Sequence, residues 1–268
     1  MSGYDLAALN EALRGTIFYR ELQHDHLHHF PVIDSTSAAA LAAANAGAAA
    51  GSVYFADEQT AGRGRGGHSW HSAAGDGLYV SVLLRPKLAP AAALKISLAT
   101  GLAAQAAIAE VCGLRADIRW PNDLMLDGKK CGGILVDTAA TGEAAQLRHV
   151  VIGVGINVNH EAFPEELRHL ATSLHVESGK SMNIEILLIA LLRALSAEMV
   201  ALETGGEVLE RFAKASTWVR GKRVHVEDAG GYTGVTNGLD VHGFLRILTE
   251  SGSERLVLSG GVREIIEG

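Results

Sequence analysis

The sequence predicts an α+β protein with an all-β appendix at its C-terminal end. Three observations carry this. Two long apolar runs with helical spacing, at 90–111 and 182–203, stand among short strand-like apolar runs at 52–57, 78–84 and 147–154. An Asp-Gly pair at 127–128 joins two further strand-like segments. After Trp218 the helical patterns end, and short strands separated by glycine turns take over.

The elements follow in order. Residues 4–14 read as a short helix that stops near Gly15, and 15–33 read as extended. Asp34-Ser35-Thr36-Ser37 supplies capping side chains before an alanine run, so a helix should reach about Ala46. SVYFAD at 52–57 alternates as a strand, 58–72 is a loop with four glycines, and LYVSVLL at 78–84 is a buried strand. Pro90 suits the first turn of a helix running to about Val111. Residues 117–120 and 123–126 are extended, and DLML pairs with KKCGGILVD as a hairpin. An apolar strand at 147–154 runs into Gly155-Ile156-Asn157-Val158-Asn159. Helices fill 182–203 and 207–215. Strands at 222–227, 231–236, 243–248 and 254–258 close the chain as a small β-barrel. This divides the protein into residues 1–218 and 219–268.

Composition narrows the function. The 268 residues carry a net charge of −7, which disfavours a general nucleic-acid binder. Cys112 and Cys131 cannot build a disulfide framework or a four-cysteine zinc site, and they suit a reducing, cytoplasmic setting. The N-terminus lacks the long apolar core of a signal peptide. Asn45 and Gly47 break the run at 38–50, and Glu185, Arg193 and Glu198 interrupt 183–203, so neither reads as a membrane span.

Two segments could carry chemistry. Gln59-Thr60-Ala61-Gly62-Arg63-Gly64-Arg65-Gly66-Gly67-His68-Ser69-Trp70 holds two arginines and four glycines with no acidic residue. Glycines let backbone N–H groups approach an anion, and guanidinium groups match carboxylate and phosphate. Trp70 offers a flat face for a base. A mobile surface loop is the plainer alternative. The segment lacks the Gly-Lys-Ser/Thr ending of a Walker loop. The second segment runs from Arg119 to Leu135. Alternation lets only one of Lys129 and Lys130 face a pocket, and Gly132 and Gly133 suggest close approach of backbone or ligand.

Together these segments resemble the biotin protein ligases. The marks are DSTS at 34–37, QTAGRGRGG at 59–67, RWPNDLML at 119–126, GKKCGGILV at 128–136 and GVGINVN at 153–159. The resemblance is strong over residues 30–160 and looser in the tail. It implies a biotin/lipoate protein ligase-like catalytic domain, a mixed sheet with helices, and an SH3-like β-barrel after it. It also implies a two-step reaction. Biotin and MgATP form biotinyl-5′-adenylate, and a lysine of a biotin carboxyl carrier protein then takes the biotin.

The resemblance assigns roles residue by residue. Lys130 and Arg65 are the catalytic pair. Ser35, Thr36, Ser37, Gln59, Arg63, Gly64, Arg65, Lys130 and Gly133 contact biotin. Arg63, Arg65, Trp70, Asn122, Asp123, Lys130 and Asn157 contact ATP or the adenylate, with Trp70 near the adenine. Asp123 is expected to help hold Mg2+ through the ATP phosphates. Arg119 stands where lysine is frequent, Gly77 where asparagine often occurs, and Cys131 where leucine is common.

Some family members carry an N-terminal DNA-binding domain. Here only 33 acidic-leaning residues precede Asp34, so a ligase without DNA or membrane binding is expected. Members occur as monomers and dimers, which leaves a homodimer open. Alternation would place His24, His26 and His28 on one face, a geometrically possible metal set, although a solvated strand is the expected reading. A lipoate or octanoate attachment enzyme and an RNA-binding module are the competing functions.

Overall fold

The computed structural model describes residues 4–21, 23–140, 146–227, 230–258 and 261–265. A seven-stranded mixed sheet forms the body. Its strands are β1 (Leu27–Ile33), β2 (Ser52–Gln59), β3 (Gly77–Leu84), β4 (Asp117–Arg119), β5 (Asp123–Leu126), β6 (Lys129–Ala140) and β7 (Leu147–Asn157). The spatial order is β1-β2-β3-β7-β6-β5-β4. Only β1 and β2 run parallel among these neighbours.

Strand alternation gives the sheet two different faces. Val80 and Val82 of β3, with Ile152 and Ile156 of β7, join the main core. Helices α3 (Ala93–Cys112) and α5 (Ile184–Glu203) pack in that core. Leu83 and Val151 lie on the opposite face, against Ala40 and Ala44 of α2 (Thr36–Asn45). The Pro90–Cys112 stretch is long and apolar enough to cross a membrane, yet its central residues Ile96–Ala104 are buried in this core. Helix α1 (Leu6–Ala12) packs here through Leu9.

Ser35 caps α2 and accepts from Ala38 N, as its position before the alanine run predicts. Asp127 (φ 45°) and Gly128 (φ 74°) both adopt the left-handed backbone that an Asp-Gly hairpin turn requires. The stretch 15–33 differs from its extended reading. Only β1 is extended, because Asn10 binds Arg20 O at 2.8 Å and Arg20 N at 3.2 Å and folds the preceding turns back onto α1.

Two short elements escape the sequence pattern. Helix α4 (Leu174–Ser178) is a single turn capped by Ser173. The strand β12 (Val262–Glu264) has three residues, too few to show periodicity. Helix α6 (Val208–Ala215) precedes the tail strands β8 (Arg220–Val226), β9 (Tyr232–Leu239), β10 (Leu245–Thr249) and β11 (Glu254–Val257). These form an antiparallel sheet in the order β11-β10-β9-β8-β12. This antiparallel sheet is in keeping with the SH3-like domain expected, and among the described residues no pairing joins β11 to β12. Trp120 ties it to the body, donating Nε1–H to Gly243 O at 2.9 Å.

The histidine run is neither a solvated strand nor a metal set. His26 is buried with Nε2 2.8 Å from Phe18 O, His28 stacks on Tyr54, and His24 is exposed. No group of three metal-ligating side chains occurs among the described residues.

Candidate active site

The sheet face that carries α2 also carries a cleft of about 460 Å³, open to solvent on one side. Its floor is glycine-rich because Gly133 of β6 pairs with Gly155 of β7, and Leu135 with Gly153. Trp70 fills part of the space that those glycines leave. A Cβ on Gly155 would lie 2.6 Å from the Trp70 ring, so only glycine permits the packing. Gly62 is required in the same way, since a Cβ there would lie 2.6 Å from Trp70 O.

The loop between β2 and β3 is a tight hairpin rather than an open coil. Arg63 bridges Ser69, Gly64 N donates to His68 O at 2.7 Å, and Trp70 N donates to Gly62 O at 2.9 Å. This brings Arg63, Gly64, Arg65 and Trp70 to the cleft. Burial lowers the Arg65 guanidinium from its usual range, and the nearby Asp123 charge opposes that effect.

Lys130 faces the cleft and Lys129 is exposed to solvent. Lys130 Nζ lies 2.6 Å from Asp123 Oδ1 and 5.4 Å from the centre of the Trp70 ring. The Lys130 backbone is clamped too. Its N–H donates to Leu170 O at 2.9 Å, and its carbonyl accepts from Thr172 N at 3.0 Å. Asp123 Oδ2 receives Arg119 at 2.6 Å. Burial alone would raise the Asp123 carboxyl, but Lys130 and Arg119 outweigh it and hold the group below its usual range.

A polar recess closes the other end. Gln59 Oε1 accepts from Thr36 N at 2.9 Å and from Thr36 Oγ1 at 3.1 Å. Gln59 Nε2 donates to Ser72 Oγ at 2.9 Å, and Thr36 Oγ1 lies 2.8 Å from Ser81 Oγ. Ser37 Oγ is buried without a hydrogen-bond partner. An unmet buried hydroxyl is costly unless a ligand satisfies it.

The structure therefore gathers most of the expected site residues around one cleft. Ser35, Thr36, Ser37, Gln59, Arg63, Gly64, Arg65, Trp70, Asn122, Lys130 and Gly133 line it. Asn122 is locked by two bonds to Ile134, donating Nδ2–H to Ile134 O and accepting from Ile134 N at 2.9 Å each. Asp123 lies behind Lys130. Asn157 stands outside the lining, with Nδ2 donating to Thr172 O at 3.0 Å. The sequence reading missed Ser81, Tyr79 and Ser72. Ser81 and Tyr79 were legible as alternate residues of a strand. At position 77, any side chain would run into the Tyr79 ring, which accounts for glycine there.

The donor set gives Asp123 one role in this structure, that of counter-charge to two cations. Each of its oxygens already receives a cation within 2.6 Å. Its geometry suits holding a lysine.

A mixed sheet with a cationic glycine loop, a half-buried lysine–carboxylate pair and a polar recess defines a class of site: a cleft suited to an anionic small molecule. Residues 29–157 match the model of the Biotin/lipoate A/B protein ligase family. The chain is 34% identical over 234 residues to the biotin–[acetyl-CoA-carboxylase] ligase of Mycobacterium tuberculosis, covering 85% of this chain and 84% of that protein. It is 40% identical over 165 residues to the bifunctional ligase/repressor BirA of Bacillus subtilis, covering 61% of this chain and 50% of that one. The chain thus spans about half the length of the curated Bacillus relatives it matches. Its fold superimposes on the Aquifex aeolicus biotin protein ligase in complex with biotin and ATP with a TM-score of 0.76 at 29% identity, covering 90% of this chain and 100% of that one. The chain belongs to the biotin/lipoate protein ligase family, in its biotin protein ligase branch.

Proposed function

We propose that this protein is an ATP-dependent biotin–protein ligase acting on a biotin carboxyl carrier protein. The observation that carries the reading is the placement of Lys130, Arg63 and Arg65 over one cleft that ends in the Thr36–Gln59–Ser81 recess. The recess offers hydroxyl and amide groups to the biotin ureido head, with Ser37 Oγ free to bond. The carboxylate end of biotin then lies near Lys130.

In the first step a biotin carboxylate oxygen attacks the ATP α-phosphate. The bond to pyrophosphate breaks, and pyrophosphate leaves. Two anions must meet, and their repulsion is large in a partly dry site. Lys130, Arg65 and Arg63 offset it and stabilise the charge that develops on the phosphate. Asp123 and Arg119 hold the Lys130 ammonium in place. The Trp70 face receives the adenine, and Asn122, which lines the same cleft, completes the nucleotide end. In the second step a carrier lysine amine attacks the acyl carbon of the adenylate, and AMP leaves.

Mass spectrometry of a carrier domain after incubation with biotin and MgATP tests the reading. A gain of one biotin on one lysine is expected. No gain across several carriers, with the enzyme folded, rejects it. Calorimetry with biotin and with lipoate separates the two branches of the family.

A further inference from the structure

One carboxylate on the cleft face has no part in the reaction described above. Asp137 follows Gly133 and Leu135 at alternate positions of β6, so it belongs to the same sheet face, opposite Val151 of β7. Its Oδ2 lies 3.7 Å from Arg63 Nη1. That is an ion-pair distance but too long for a hydrogen bond. The same oxygen is buried and has no hydrogen-bond partner. A buried carboxylate oxygen one short movement from a guanidinium is an unfinished contact.

Its partner is well placed to transmit an effect. Arg63 is the first arginine of the hairpin, fixed by its bridge to Ser69, and Trp70 at the far end of that hairpin packs on Gly133 and Gly155. A pull on Arg63 therefore moves the hairpin as a unit. The guanidinium carries five donors in a planar fork, so one edge can bind Asp137 while another binds a ligand anion.

We propose that Asp137 is a positioning residue, the latch that holds the glycine–arginine hairpin over the cleft through Arg63. Ligand occupancy draws Arg63 in and completes the bond to Asp137 Oδ2. The latch sets how long the activated intermediate stays bound. The proposal rests on the ligase reading above.

The test uses the full chain with Asp137→Asn, Asp137→Ser and Asp137→Glu. The readouts are the release rate of preformed biotinyl adenylate, biotin-dependent ATP–pyrophosphate exchange, and hydrogen exchange of residues 62–70. With Asn or Ser, release should rise about tenfold, the size expected for losing one charge-assisted hydrogen bond. KM for biotin should rise with it, kcat for exchange should change far less, and hairpin protection by the adenylate should drop. Glutamate should restore much of the slow release. A merely structural role would move kcat and thermal stability together and would not be rescued by glutamate. Release and protection equal to the unaltered protein in both the Asn and Ser variants overturn the latch. Absence of exchange in the unaltered protein instead rejects the ligase reading, so the two failures are distinguishable.

Discussion

Lys130 Nζ sits 2.6 Å from Asp123 Oδ1, and Arg119 reaches the other oxygen of the same carboxylate at 2.6 Å. One largely buried anion thus fixes two cations at the edge of the cleft. Guanidinium and ammonium would otherwise repel each other here. The arrangement orients Lys130 before any substrate arrives, which is the form of preorganisation that electrostatic catalysis requires.

Lys130→Ala should lower biotin-dependent pyrophosphate exchange by about 10²–10³-fold, the usual cost of removing one preorganised donor. Asp123 keeps Arg119 in this variant, so the fold should survive. Exchange within threefold of the unaltered rate would remove Lys130 from the reaction.

Asp123→Asn should destabilise the protein by roughly 1–3 kcal/mol, because two partly buried cations lose their counter-charge. The sign of the pH dependence follows from the lowered carboxyl. Its contribution is present above the ordinary value of 3.8 and is lost as pH falls through the lower folded value. Denaturant unfolding of both proteins at pH 7 and near pH 3 measures this. A gap that does not shrink in acid would contradict the assignment.

Gly155→Ala should push the Trp70 ring off the sheet, since the new Cβ would lie 2.6 Å from it. Overpacking of this kind costs about 1–3 kcal/mol; borne by the nucleotide-bound arrangement, that is a rise in KM for ATP of roughly 5- to 150-fold. Steady-state kinetics with varied ATP decide the matter. An unchanged ATP KM would separate Trp70 from the nucleotide.

Acid should destabilise the fold from below about neutrality. Burial lowers His26, His28, His149 and His160 from 6.5, with neighbouring charges such as Arg20, Arg148 and His71 adding to it and Asp25 or Asp76 opposing it. Their neutral forms favour the folded state above 6.5, and that contribution is lost as pH falls through the lower folded values. His160 is the sharpest case, with both ring nitrogens buried and unpartnered and the ring stacked on Phe163 at 5.1 Å. His160→Phe should flatten the stability curve between pH 7 and 5, as measured by urea unfolding. An identical slope would exclude His160.

Local chemistry was legible in the chain. Ser35 ahead of the alanine run marked the start of α2, and Asp127-Gly128 marked the β5–β6 turn, because capping and left-handed backbone depend on a few adjacent residues. The glycine–arginine segment stood out as a cationic loop because its charge and backbone freedom need no distant partner, and the structure brings it to the cleft. Short elements were not legible. Helix α4 and strand β12 owe their form to their neighbours rather than to a repeated pattern.

Residue types alone say which groups can do chemistry: two arginines, a lysine pair and a run of hydroxyls ahead of a helix. Tertiary structure decided which of them meet. Strand register turned Lys130 rather than Lys129 toward the cleft, and the pairing of β6 with β7 set Gly133 beside Gly155 to seat Trp70. It also committed the Asn157 amide to Thr172, gave both Asp123 oxygens to cations, and left Asp137 facing Arg63. The physical reason is separation along the chain. Arg63 and Asp137 lie in different elements, and only long-range strand pairing, fixed by burial of the opposite apolar face, brings such residues within a few ångströms.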